Sequence, residues 1–132
     1  MNRFFLGDNL EILQTFPSKC IDLTYIDPPF NIGKDFDDRD GKMQFTDRWR
    51  WDKATSDLYY AMFPSRTASP LSLTLYGFEC MYGRTPTLAY LVNMTARLIE
   101  IRRVLKSTGV TVFALRPYRF ALFENHTGRS LF

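Results

Sequence analysis

The sequence predicts an α/β fold: a parallel sheet, incomplete at this chain length, with helices on its faces in three layers. Two observations carry that expectation. Short runs rich in β-branched and aromatic residues read as strands: "RFFLG" stops at Gly7, "CIDLTYI" is closed by Asp-Pro-Pro, and "VTVFAL" follows the glycine of "KSTG". Between them lie stretches with apolar residues at helical spacing, and strand, helix, strand within about 25 residues is the pattern of a right-handed, helix-covered βαβ unit.

"RFFLG" is expected to be the first strand, ending at Gly7. Asp8 then caps a helix over "NLEILQTF", with Glu11 completing a capping-box pattern and Leu10, Leu13 and Phe16 on one face. "CIDLTYI" is a second strand, parallel to the first, and Asp27-Pro28-Pro29 closes it because proline has no N–H for a ladder. Residues 31–47 are crowded with charge and read as an exposed loop. Asp52 caps a helix in "RWRWDKATSDLYYAMF", "SRTASPLS" interrupts it, and 71–84 is moderately helical up to Gly83. Thr85 and Pro86 open the strongest helix, whose stripe is Leu88, Leu91, Met94 or Thr95, Leu98, Ile101 and Leu105. It is expected to run to about Lys106, where "KSTG" stops it before the third strand, "VTVFAL".

With 132 residues, 45% of them hydrophobic, the chain suits one small domain or a piece of a larger one. Aromatics are 16%, so rings must build much of the core. Residues 1–65 hold 8 basic and 11 acidic side chains and residues 66–132 hold 9 and 3, which makes the second half the basic one. Cys20 and Cys80 form no metal-ligand pattern and read as small reduced core residues. The N-terminus meets Asp8 too soon for a signal peptide, and no apolar run approaches the roughly 20 residues of a membrane span. These features predict a cytoplasmic protein with no metal and no membrane partner.

The row "YIDPPFN", Tyr25 to Asn31, carries the chemistry. In an open parallel sheet, ligands sit beyond the carboxyl ends of the strands. There Asp27 would present a carboxylate, Pro28 and Pro29 would fix outward-pointing carbonyls, and Phe30 would offer a flat face for a base. Two acceptors can hold both hydrogens of an exocyclic amine and aim its lone pair elsewhere. The plain alternative is a strand-ending turn with Phe30 in the core. For Arg48-Trp49-Arg50-Trp51, packing is favoured over contact with nucleic acid. Arg97, Arg102 and Arg103 read as a solvated face, and His126 has no catalytic partner.

These residues resemble a known family: amino-group DNA methyltransferases of the class in which Asp-Pro-Pro-Tyr/Phe precedes the cofactor motif, as in type III enzymes. The resemblance runs through "LGDNLEILQTFPSKCIDLTYIDPPFNIGKDF" and returns in "AYLVNMTARLIEIRRVLKSTG". It implies a partial Rossmann-like methyltransferase fold, S-adenosyl-L-methionine as cofactor, double-stranded DNA as partner and adenine as the extruded base; cytosine remains the alternative. By position, Asp27, Pro28, Pro29 and Phe30 would be catalytic, Phe30 and Asn31 would bind the base, and Asp8 would lie near the cofactor. The family's glycine-rich cofactor turn and target-recognition region do not occur in the chain. Residues 1–112 are therefore expected to be the N-terminal part of a catalytic domain, inactive alone, completed by a further part or a restriction or specificity subunit. Residues 113–132 are expected to be a frameshifted or divergent tail, because a shifted frame can spell the family continuation. The rival reading is a non-catalytic DNA-binding or interaction remnant.

Overall fold

In the computed structural model, which describes residues 2–37, 43–63 and 69–114, helices begin where a side chain takes their first free N–H groups. Helix α1 (Asn9–Gln14) follows Asp8, whose carboxylate accepts from the Leu10 N–H at 2.8 Å. Helix α2 (Lys53–Met62) follows Asp52, which accepts from the Thr55 N–H at 2.8 Å. Helix α3 (Pro70–Tyr82) opens with a capping box between Ser69 and Ser72 and stops at Gly83, at φ 70°. This helix agrees with the moderately helical pattern of 71–84 and with its end at Gly83. Helix α4 (Pro86–Val104) starts after Thr85 with proline at its first turn and feeds straight into a strand.

Strand β1 (Ile21–Ile26) and strand β4 (Leu105–Phe113) pair in parallel, Leu23 opposite Val110 and Tyr25 opposite Val112. The Thr24 and Thr111 hydroxyls hydrogen-bond across the pair at 2.8 Å. The second and third predicted strands are thus present, and β4 begins five residues earlier than "VTVFAL" suggests. The first is not: residues 3–7 form no strand, and Phe4 and Leu6 are 90% and 93% exposed. The parallel crossover from β1 runs through α2, α3 and α4, and the sheet of the described residues has two strands in place of three. A strand is defined by its ladder, and residues 3–7 pair with neither outer edge of the two-stranded β1–β4 sheet.

Two further corrections concern the middle of the chain. Residues 31–47 are not simply an exposed loop: strand β2 (Asp35–Asp37) and strand β3 (Met43–Thr46) pair antiparallel, and Asp47 at the end of β3 is buried. The core lies among α2, α3 and α4, where Tyr59, Phe63, Leu75, Leu88 and Val92 cluster with Trp51 at their margin. Tyr59 meets Trp51 and Phe63 edge-on, with ring centroids 5.6 and 6.0 Å apart, so rings do build this core.

On α4 the buried side is Leu88, Ala89, Val92, Ala96, Ile101 and Val104, while Leu98 is exposed. The predicted stripe followed the large residues; the small Ala89 and Ala96 let neighbouring elements approach and turn the helix by a residue. Cys20 and Cys80 are exposed, not core residues. The tail beyond Ala114, His126 included, lies outside the described residues. No helix among those described is long and apolar enough to cross a membrane.

Candidate functional site

At the carboxyl end of β1 the chain turns through Asp27, Pro28, Pro29 and Phe30 into a cleft of about 720 Å³. Asp27 is exposed there, Pro28 is buried and Phe30 is half-buried. Gly7, Asp8 and Asn9, at the start of α1, line the same cleft. The structure thus brings together Asp8 and the four residues of the Asp-Pro-Pro-Phe row. It does not place Asn31 on the cleft wall, although Asn31 shapes the turn by another route.

That route is Asp47. Its carboxylate accepts the backbone N–H groups of Phe30 at 3.2 Å, Asn31 at 2.8 Å and Ile32 at 2.8 Å, and the Trp49 indole N–H at 3.1 Å. Asn31 has φ 54°, a left-handed value that asparagine tolerates better than most residues. This reversal lets three successive N–H groups converge on one anion, the backbone arrangement known as a nest. The carboxylate is 1% exposed, so these donors replace the water it would otherwise bind. Backbone pairing of Asp47 with Gly33 and Lys34 continues the β2–β3 hairpin up to the site.

Trp49 and Arg97 complete the walls. The Trp49 ring packs edge-on against Tyr90, with centroids 5.7 Å apart, while Trp51 belongs to the core and Arg84 stacks over it at 5.2 Å. Packing therefore accounts for both tryptophans, as the sequence suggested. Arg102 is exposed, as expected of a solvated face, but Arg97 and Arg103 are not: Arg97 grips the Asp8 carboxylate at 2.8 and 3.0 Å and the Asn9 side chain at 2.9 Å. Arg103 donates to the Leu13 and Phe16 carbonyls at 2.9 Å each, at and just beyond the end of α1. These two cations fasten α1 to α4 and so set where Gly7 and Asp8 stand beside β1.

Asp47, Trp49 and Arg97 were missed as site residues. Asp47 had a signal, the alternating "MQFT" run just before it, which marks a strand end in what otherwise reads as a charged loop. Nearby, Asp35 has its carboxyl held below the usual range, first by the Thr46 hydroxyl and then by Arg48. No group of three or more metal-binding side chains occurs among the described residues.

Two known proteins resemble the chain. It is 27% identical over 124 residues to the type III restriction-modification enzyme StyLTI Mod subunit of Salmonella typhimurium, covering 91% of this chain and 17% of that protein. It is 31% identical over 82 residues to a protein of Escherichia coli named as a methylase, YubD, covering 60% of this chain and 33% of that one. The chain spans at most a third of the curated relatives it matches. No protein-family model and no solved structure matches it. The two similarities support a methyltransferase family.

Proposed function

We propose that this chain carries the amine-holding half of an amino-group DNA methyltransferase of the type III-like class, acting on the 6-amino group of an adenine extruded from the duplex. The observation that supports this reading is the shared cleft: Asp27, Pro28, Pro29 and Phe30 at the carboxyl end of a parallel strand, facing the Gly7-Asp8 turn. Base extrusion has a cost of a few kcal/mol, which contacts in such a cleft offset.

In this mechanism the Asp27 carboxylate accepts one hydrogen of the amine and the Pro28 carbonyl the other. The nitrogen lone pair then points away from both. As the nitrogen took the methyl group, with loss of the methyl's bond to the donor sulfur, it would become positive; the same two acceptors stabilise that charge until the surplus proton leaves to solvent. Phe30 stacks on the base, and Asn31, with its neighbours on the Asp47 carboxylate, keeps the ring-bearing backbone from drifting.

The Gly7-Asp8 turn fits a cofactor of the S-adenosyl-L-methionine kind. Gly7 has no side chain to cover the cleft, and Asp8 retains acceptor capacity beyond its bonds to Leu10 and Arg97, enough for a ribose hydroxyl. That cofactor, when bound, supplies an electrophilic methyl group. A Rossmann-like sheet, double-stranded DNA as partner and a completing segment or subunit belong to the same proposal, with the isolated chain inactive.

The test is binding of adenosine, followed by Trp49 fluorescence. Asp27→Ala and Phe30→Ala should each weaken it severalfold; parental affinity in both folded variants overturns the reading. Robust methyl transfer to DNA by the chain alone, abolished in Asp27→Ala, would support the site and refute the expected inactivity.

A further inference from the structure

A second concave surface lies at the other end of β1. Its cavity, about 620 Å³, is lined by Lys19, Arg102, Arg103 and Lys106 together with the hydroxyl-bearing Ser18 and Ser107. Among the described residues, no carboxylate lines it. It is separated from the Asp-Pro-Pro-Phe cleft by the length of β1, about 20 Å at the usual strand rise, and shares no lining residue with it.

The four cations are not equivalent. Arg103 is committed: it bonds Glu100 at 2.8 Å, the α1 carbonyls, and the Ser18 hydroxyl at 3.2 Å. Lys106 is paired with Asp22 at 2.8 Å, but both side chains are substantially exposed, and such a pair exchanges readily for another anion. Lys19 and Arg102 are exposed and have no ion-pair partner among the described residues. Gathering like charges in a concavity is unfavourable until an anion enters, and the low-dielectric walls focus the resulting field.

The backbone adds an independent sign. Lys19 has φ 56°, a left-handed conformation that a lysine adopts at a cost and that glycine would take freely. The strain is held by two bonds into the α4–β4 junction, Lys19 N–H to the Arg103 carbonyl at 3.0 Å and Cys20 N–H to the Val104 carbonyl at 2.8 Å. The sequence therefore keeps a long cation on the rim of this cavity at a position where its backbone favours glycine.

We infer that this basic cavity binds phosphate groups, with Lys19 and Arg102 as the contacting cations, Lys106 recruited from Asp22, and Arg103 the strut that holds the Ser18 side in place. The phosphates belong either to a polynucleotide backbone or to a free phosphomonoester. The inference stands apart from the reading of the amine-holding cleft.

The experiment measures affinity of the full 132-residue chain for three probes: inorganic phosphate, ribose 5-phosphate and a short DNA duplex. Lys19→Gln/Arg102→Gln should weaken binding about tenfold at low salt, and for the duplex should flatten the slope of log affinity against log salt by about two. Excess adenosine should leave the affinity for inorganic phosphate at the parental level, which separates this site from the other. Loss confined to the duplex assigns a polynucleotide backbone; loss confined to the small probes assigns a free phosphomonoester. Absence of binding by the parent, or equal affinities of parent and folded double variant, overturns the proposal. A second readout needs no variant: bound phosphate should shield Lys19 from an amine-reactive reagent, and unchanged labelling overturns the proposal as well.

Discussion

The buried carboxylate of Asp47 accepts the backbone N–H of Asn31 at 2.8 Å, across sixteen residues of sequence. Through this contact a side chain at the end of one hairpin fixes the conformation of the loop that carries Phe30. Asp47→Ala leaves three backbone N–H groups and an indole N–H without their acceptor. A destabilisation of about 3 kcal/mol is expected, from the desolvated donors more than from lost packing. Urea unfolding checks it, and Asp47→Asn should recover only part, because its amide group turns a donor toward donors.

Local rules made three capped helices legible: Asp8, Asp52 and Thr85 each precede a helix and each takes a free N–H, whereas the Ser69 cap lies in a stretch that reads as an interrupting turn. The strand tipped with Asp27 was legible for the same reason, since Pro28 and Pro29 end a ladder by themselves. What was not legible depends on partners far along the chain. Residues 3–7 look like a strand but find no edge, and the role of Asp47 appears only once β3 has brought it beneath Phe30. On α4 the stripe was legible at Leu88, Leu91 and Ile101, but Leu98 is exposed and the small Ala89 and Ala96 are buried, which spacing of large residues does not reveal.

Arg97 ties Asp8 to α4 by two short bonds, yet the Asp8 side chain is 45% exposed and the arginine 16%. Solvent screens such a pair, so a double-mutant cycle of Arg97→Ala with Asp8→Ala should give a coupling of about 1 kcal/mol. The same substitution should loosen the start of α1, seen as faster amide exchange at Leu10 and Glu11.

Gly109 lies where the parallel pair shifts register between Ile21 and Leu23. A Cβ there would stand 2.8 Å from Leu105 Cγ and Cδ1 and 3.1 Å from the Asp22 carbonyl oxygen. Gly109→Ala should therefore destabilise the chain by about 1–3 kcal/mol, the usual range for overpacking. Adding Leu105→Ala should recover part of the loss, because the closest clash is with that side chain. Thermal unfolding of the single and double variants decides this.

Acid should unfold the protein through carboxylates whose folded pKa is depressed. Asp52 is lowered first by the Thr55 backbone N–H and then by the Thr55 hydroxyl, and Asp35 first by the Thr46 hydroxyl. A depressed folded pKa contributes stability that is present above the ordinary value of 3.8 and is lost as pH falls through the folded value. The unfolding free energy should thus be level near neutrality and fall below about pH 4. Asn is as good a helix cap as Asp, so Asp52→Asn should keep the neutral stability and blunt the acid loss. An unchanged acid profile in that variant would exclude Asp52 as a source.

The roles given to Asp27 and Phe30 separate when two ligands differing by one group are compared. Adenosine carries the exocyclic amine and purine riboside lacks it. Stacking on Phe30 is indifferent to that group, so Phe30→Ala should weaken both ligands alike, within the roughly 1–3 kcal/mol that base stacking contributes. Asp27 acts on the amine alone, and a bond to a charged acceptor is worth about 1.5–3 kcal/mol. Parent protein should therefore prefer adenosine by about tenfold or more, and Asp27→Ala should cut the preference to the small remainder that the Pro28 carbonyl supports while leaving purine riboside affinity unchanged. Equal loss for both ligands would mean that Asp27 shapes the cleft without gripping the amine, and the mechanism would need another acceptor.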